Sequence, residues 1–214
     1  MSAPILTLPE KEADLLKQVY SRATSILEYG SGGSTLIAAQ TPGCRALSVE
    51  SDPNWAKYVA AHVEKAGAAD RVKVRHADIG PTRRWGAPTS RAHSHLFHTY
   101  PLAVWSDPDF THPDVVLVDG RFRPACFVTT AMLIERPVTL LFDDYDTRPQ
   151  YAHVERLVKP VEIVGRMARF ELEPAPVPKK HLPWIIATYS DPDYARPRGH
   201  VRLFRRLMGK PERP

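Results

Sequence analysis

Short apolar runs that end in an acid recur along this chain. Five are readable: TSILE ending at Glu28, RALSVE at Glu50, RVKVRHAD at Asp78, DVVLVD at Asp119, and VTLLFDD at Asp143 and Asp144. Apolar runs of about 4–6 residues rich in Val, Ile and Leu suit strands buried on both faces. Helix-like segments separate most of them. Ser34 through Gln40 predicts a helix that Ser34 or Thr35 caps. Asp52 before Pro53 is an N-cap and first-turn pair. Apolar Trp55, Val59 and Val63 follow it, and Gly67 stands where that helix ends. Pro124 opens a further helix through Phe127, Val128, Ala131 and Ile134, closed before Pro137. Leu15, Leu16 and Val19 predict an extra helix ahead of the first strand, over Glu10 to Arg22. VEIVGRMARFEL predicts two short strands turning at Gly165 and Arg166.

Strand, helix and strand repeated in this way imply right-handed crossovers. The expected fold is α/β: a doubly wound, mostly parallel seven-stranded sheet with a C-terminal antiparallel hairpin and helices on both faces. Ligands of such sheets bind beyond the carboxyl ends of the strands, where these acids stand. One acid there is an ordinary solvated loop entrance; five in succession suggest a rim shaped for a polar ligand. The stretch from Gly80 to Pro113 lacks clear periodicity, and a loop that long inside a domain is a lid, a binding segment or disordered. The expected organisation is one domain over residues 1–194 with a lid insertion at 80–113, then a tail.

Charge changes the picture less than the totals suggest. The 214 residues carry a net +5. From Ala195 to Pro214 there are seven Arg or Lys and one acid, so this basic tail holds +6 and the body −1. The opening MSAPILTLPEKEADLL lacks a basic start before a long apolar run, so no signal peptide is expected. No stretch reaches the ~18 apolar residues of a membrane span, and a cytoplasmic location is the expectation. Two cysteines, Cys44 and Cys126, exclude a disulfide scaffold and read as buried thiols.

The first strand runs into ILEYGSGGSTL, placing Gly30, Ser31, Gly32, Gly33 and Ser34 ahead of a helix. Glycines there permit close backbone approach, and a helix N-terminus offers free N–H donors. Such a loop serves a dinucleotide or S-adenosylmethionine (SAM). The dinucleotide pattern requires Gly or Ala at position 35, which is Thr35. No phosphate-loop Lys-Ser/Thr pair follows.

With these residues the chain resembles the class I SAM-dependent methyltransferases, whose first motif is an acid, one residue and a G-x-G-x-G loop. Glu28, Gly30 and Gly32 match, and Ser34 stands at the third glycine. The resemblance spans Glu10 to Leu172, with the acids Glu50, Asp78 and Asp119 and the terminal hairpin; DIGPTRRWG, VDGRFRPAC and LLFDDY mark a bacterial branch. It implies that Glu28 and Gly30, Ser31 and Gly32 contact the methionine end of SAM, with Ser34 and Thr35 near its carboxylate. Glu50 would accept from the ribose hydroxyls and Asp78 from the adenine amino group, with Ile79 against the ring. Asp119 would also lie against the cofactor. Trp55 reaches the adenine edge or belongs to the core.

Asp119 ends the fourth run and Asp143–Asp144 the fifth. Three clustered carboxylates hold a divalent cation such as Mg or share protons. Metal-dependent catechol-type O-methyltransferases look similar, but Asp144 replaces their Asn and Phe122 stands where they carry a lysine. The expectation is an oxygen methyltransferase with Asp119, Asp144 and Arg121 as catalytic residues and Asp119, Asp143 and Asp144 as candidate metal ligands. The alternative is that Asp119 orients SAM or caps a helix while Asp143 or Asp144 bonds backbone. Forked guanidinium groups at Arg121 and Arg123 suit an anionic or sugar-like small-molecule acceptor. Equally, Arg121 pairs with Asp119 or Asp144. His93, His95, His98 and His112 in the insertion offer a general base, a metal site or solvated loop histidines. The tail suits nucleic acid or acidic lipid, or packs on its own domain or on a twin subunit in a homodimer. Three function classes follow: a small-molecule methyltransferase, an RNA or DNA methyltransferase using the tail, and a SAM-fold binding protein without catalysis. A dehydrogenase suffers from Thr35 and the hairpin.

Overall fold

Residues 2–192 are described by the computed structural model. Seven strands form one sheet in the order β3-β2-β1-β6-β7-β9-β8. They are β1 (Ser25–Tyr29), β2 (Arg45–Glu50), β3 (Val72–His76), β6 (Val115–Val118), β7 (Val138–Phe142), β8 (Glu162–Val164) and β9 (Met167–Leu172). The two remaining strands, β4 (Thr82–Arg83) and β5 (Ala87–Pro88), pair antiparallel as a separate small hairpin. The five acid-ended runs are the five parallel strands. β9 closes the sheet antiparallel to β7, with Phe142 opposite Ala168, and β8 pairs antiparallel with β9 across a two-residue turn at Gly165–Arg166.

Burial on both faces explains the unbroken apolar runs. Every residue of β1 and β6 is buried. On one face α1 (Glu10–Tyr20), α2 (Gly33–Gln40) and α3 (Pro53–Lys65) contribute Leu16, Tyr20, Ala38 and Val63 against Ile26, Ala46, Val115 and Leu141. On the other face α5 (Arg123–Leu133) and α6 (Leu182–Thr188) bring Phe127, Val128 and Ile185 against Leu27, Leu47, Val116 and Phe142. Asp52 caps α3, accepting from the Asn54 and Trp55 amides at 2.8 and 3.0 Å. Gly67, at φ 68°, follows that helix in the left-handed conformation that stops it.

The segment from 80 to 113 differs from a free flap. It carries β4, β5 and a short helix, α4 (Thr99–Leu102), and it inserts Phe97, Tyr100 and Val104 into the core. Trp105 donates its indole N–H to the Tyr29 hydroxyl at 2.7 Å, and that hydroxyl donates to the Pro101 carbonyl at 2.9 Å. Arg75 of β3 grips Asp107 with two hydrogen bonds, 2.7 and 3.2 Å. Phe97, Tyr100 and Val104 stand at helical spacing, but over one stretch of short helical turns too brief to stand out from the rest of the insertion. The basic tail from Ala195 lies outside the described residues. Among those described, no helix is long and apolar enough to cross a membrane.

Candidate active site

Two glycine loops meet at the carboxyl ends of the neighbouring strands β1 and β6. Gly30 has φ 103°, and a Cβ there would stand 2.8 Å from the Gly120 amide nitrogen; a Cβ on Gly120 would stand 2.8 Å from that of Gly30. Only glycine at both positions lets the loops lie backbone to backbone. α2 begins at Gly33 with Gly32 in the cap position, so Ser34 and Thr35 lie inside the first turn and are not its caps. The capping runs backwards: the Gly32 amide donates to Thr35 Oγ1 at 3.0 Å, and Thr35 Oγ1 donates to Glu28 Oε2 at 2.6 Å.

Glu28 lies beneath the loop rather than on the rim. It is 0% exposed and accepts hydroxyl protons from Thr35, from Tyr20 at 2.9 Å and from Ser48. Burial pushes its carboxyl upward, while the hydrogen bonds from Ser48, Thr35, Tyr20 and Ser34 pull it back. Glu28 and Thr35 therefore brace the loop from inside, and Ser34 is buried beside them. The resemblance placed Glu28 against the methionine end of SAM and Ser34 and Thr35 near its carboxylate; all three are buried beneath the loop. The bracing partners come from α1, α2 and β2, which is why local spacing did not reveal them.

Glu50 closes the end of β2. Its Oε1 accepts the Ser51 and Asp52 amides at 2.8 and 3.0 Å, and its Oε2 accepts the Ser31 amide and hydroxyl at 3.3 and 3.1 Å. The glycine loop thus leans on Glu50 through Ser31. Trp55 is 40% exposed rather than core, and its indole N–H donates to the Ser31 carbonyl at 2.8 Å. Asp78 is exposed past the end of β3; Oδ1 accepts the Gly80 amide at 2.8 Å and its carbonyl accepts Thr99 Oγ1 at 3.0 Å. Ile79 is fully buried in the core. His93 lies against Gly80, where a Cβ would stand 2.5 Å from the imidazole Cγ. Asp52, His76, Asp78 and Thr82 line an open hollow of about 380 Å³ at this end.

The acids after β6 and β7 form a charged cluster with arginines. Arg123 contacts Asp119 Oδ1 at 3.2 Å and one oxygen each of Asp143 and Asp144 at 3.4 Å. Arg166, from the β8–β9 turn, grips both oxygens of Asp143 at 2.8 and 3.1 Å, and Arg148 meets Asp144 Oδ2 at 2.8 Å. Asp143 is 1% exposed, and although burial raises it, the hydrogen bonds from Arg166 and the charge of Arg123 hold it below the usual carboxylate range. Asp119 keeps 30% side-chain exposure, and its carboxyl is raised by burial, against the pull of Arg123 and with the push of Asp143. One acid of the pair thus holds a proton more readily than the other.

Arg121 occupies a different place from its expected one. It is 5% exposed, and its amide donates to the Tyr100 hydroxyl at 3.3 Å. Arg123 engages the acids of this cluster. Phe122 adopts φ 52° and packs its buried ring 5.0 Å from Phe97 and 5.7 Å from Tyr100. Tyr100, unassigned from sequence, also donates to the Val49 carbonyl at 3.3 Å, so it joins the ends of β2 and β6. His112 stands before β6, at the opposite end of the sheet from the rim, and accepts the Glu135 amide at 2.9 Å. His95 and His98 are exposed; Cys44 and Cys126 are buried thiols.

No family model matches the sequence, and no curated protein sequence matches it. Solved structures do. A methyltransferase-like protein from Silicibacter pomeroyi is 49% identical, with 89% of this chain and 99% of its own covered and a TM-score of 0.84. The chain belongs to the class I SAM-dependent methyltransferases. The methyltransferase shares its fold with the O-methyltransferase TomG from Streptomyces achromogenes, in complex with SAM, at 17% identity over 79% of this chain and 82% of that one, TM-score 0.56. The O-methyltransferase from Bacillus cereus, in complex with S-adenosylhomocysteine (SAH), gives 17% over 80% and 84%, TM-score 0.55.

The rim of this methyltransferase fits SAM. Two facing glycine loops pack backbone to backbone at the strand ends, and Glu50 stands beside them, bonded to Ser31, with a carboxylate suited to a vicinal diol. A divalent cation does not fit. Both oxygens of Asp143 are taken by Arg166, and Asp119 and Asp144 face Arg123 and Arg148. Among the described residues, no group of three His, Cys, Asp or Glu side chains is arranged to hold a metal ion. The expected Asp119–Asp143–Asp144 metal site is corrected to a cluster of ion pairs, in which guanidinium groups balance the carboxylate charge.

Proposed function

We propose that the methyltransferase acts on an oxygen of a small, anionic or sugar-like acceptor, with Asp119 as the general base. The observation that carries this reading is the position of Asp119: a part-exposed carboxylate beside the Gly30–Gly120 contact, with a pKa raised by burial. SAM, when bound, supplies a methyl group on a positively charged sulfur. Gly30, Ser31 and Gly32 hold its amino-acid end through backbone groups, Glu50 accepts its ribose hydroxyls, and Asp78 lies at the adenine end.

Asp119 takes the proton from the acceptor hydroxyl as that oxygen becomes the nucleophile. A base whose pKa approaches neutrality does this better than an ordinary carboxylate. Arg123, held by Asp143 and Asp144, keeps Asp119 in place and stabilises its ionised form. Arg148 and Arg166 each keep 31% side-chain exposure on the same rim, which favours an acceptor with a carboxylate or phosphate. Arg121, buried, is not the residue that meets it.

A panel of hydroxylated carboxylates and sugar phosphates with their amine and thiol counterparts, assayed with methyl-labelled SAM, tests the acceptor class. With an accepted substrate, Asp119→Asn is expected to lower kcat by about 10²–10⁴-fold while SAH affinity changes little. Unchanged kcat removes Asp119 as the base; labelling of nitrogen or sulfur acceptors alone removes the oxygen reading.

A further inference from the structure

The β4–β5 hairpin brings an exposed tryptophan to the acid that ends β2. Its tip, Arg84–Gly86, holds two consecutive residues at positive φ: Trp85 at 65° and Gly86 at 65°. Glycine adopts that conformation freely, whereas for tryptophan it is strained. Burial of the ring does not offset the cost, because Trp85 is 61% exposed. The tip itself is firmly seated. Ser51 Oγ donates to the Gly86 carbonyl at 2.8 Å, and a Cβ on Gly86 would stand 3.0 Å from Glu50 Oε1. Glu50 therefore has the glycine loop against one oxygen and the hairpin tip against the other.

The two exposed tryptophans, each one residue removed from a contact of Glu50, are not equivalent: Trp85 precedes Gly86 and Trp55 bonds Ser31. Trp55 spends its indole N–H on the Ser31 carbonyl and stacks on Tyr58 at 5.1 Å. Trp85 has the Arg84 guanidinium 5.3 Å from its ring centroid, an arrangement that leaves the second face for another planar group. A strained, exposed aromatic on an anchored tip beside the ribose acid has the features of a ligand clamp.

We propose that Trp85 stacks on the purine of the bound cofactor, the β4–β5 hairpin serving as a clamp over the nucleoside half of the site. This rests on the reading of Glu50 as the ribose acceptor. Base–aromatic stacking is strong enough to matter for affinity and needs only a π face. The clamp acts on adenosine and not on the amino-acid end of SAM.

Calorimetric titration of SAH and of 5′-methylthioadenosine into the full-length protein tests it. Trp85→Ala is expected to weaken both ligands by a similar factor, about 5- to 100-fold, with Trp85→Phe within about 3-fold of wild type and an undiminished ligand-free Tm. Trp85→Leu fills the space without a π face and is expected to behave like the Ala variant. Equal SAH affinity in wild type and Trp85→Leu overturns the clamp, as does a loss confined to SAH with 5′-methylthioadenosine unaffected. If the wild-type protein binds neither ligand, the cofactor reading of the rim fails and the clamp falls with it.

Discussion

Asp119 is pulled two ways. Its ionised form is favoured by Arg123 and disfavoured by burial and by the neighbouring Asp143. A group of this kind holds a proton in the folded state that it would release in the unfolded one. It therefore subtracts from stability as pH rises above the ordinary carboxylate value. Asp119→Asn is thus expected to raise Tm at pH 8 relative to wild type, with the difference closing towards pH 5, while activity collapses; thermal scans across pH read this directly. Ser31 offers a second test. Its amide and hydroxyl occupy Glu50 Oε2, the acceptor proposed for the ribose. Removing the hydroxyl in Ser31→Ala eliminates one competitor, and SAH affinity is expected to tighten by up to about 5-fold, the worth of one net hydrogen bond. Both acids were readable from sequence because they end apolar runs. The grip of Arg123 on all three acids was not, because it depends on Phe122 turning into the left-handed region just before α5, which no local pattern signals.

At the scale of elements, α2 is secured at both ends by side chains from elsewhere. Glu28 and Thr35 brace its first turn, and Arg71 closes its last. The Arg71 guanidinium donates to the carbonyls of Ala38, Ala39, Thr41 and Cys44. These carbonyls cluster at and just past the helix end, where carbonyls lack full intrahelical pairing, and a cation there also meets the negative end of the helix dipole. Arg71→Ala is expected to cost about 2 kcal/mol, lowering Tm by about 6 °C, and Arg71→Lys to recover part of it, since one ammonium cannot span four carbonyls. The five parallel strands, α3 with its Asp52 cap, and the β8–β9 turn were legible because each follows a local rule of period, cap or turn. The insertion was not: Phe97, Tyr100 and Val104 reach the core from a few short helical turns, too brief a period to stand out in a long irregular segment. Nor was the grip of Arg166 on Asp143, which depends on β9 lying beside β7.

For the whole molecule, the carboxylates divide into two opposing sets. Asp107, Asp114 and Asp143 are lowered, each because hydrogen bonds and nearby arginines outweigh the burial that raises them. Their contribution is present above the unfolded value near about 3.9 and is lost as pH falls through their folded values. Glu28 and Asp119 are raised and act in the opposite sense, losing stability as pH rises from the ordinary carboxylate value towards their folded values. Tm is expected to peak in the weakly acidic range and decline on both sides, with the alkaline decline shallower in Asp119→Asn. A profile flat from pH 5 to 8 would contradict this division. The net charge of +5 foretells none of it, since the body is nearly neutral and its acids act locally.

The touching of Gly30 and Gly120 has a kinetic consequence. The strands that carry them are neighbours in the sheet, yet Leu27 meets Val116 only after the whole intervening crossover has folded back. Closing so long a loop carries a high entropic barrier and forms late. On refolding, the β1–β2–β3 half and the β6–β7–β9 half can each gather local order before the seam between them exists. Cofactor affinity should then return in step with the last native contacts and not with the first burst of secondary structure.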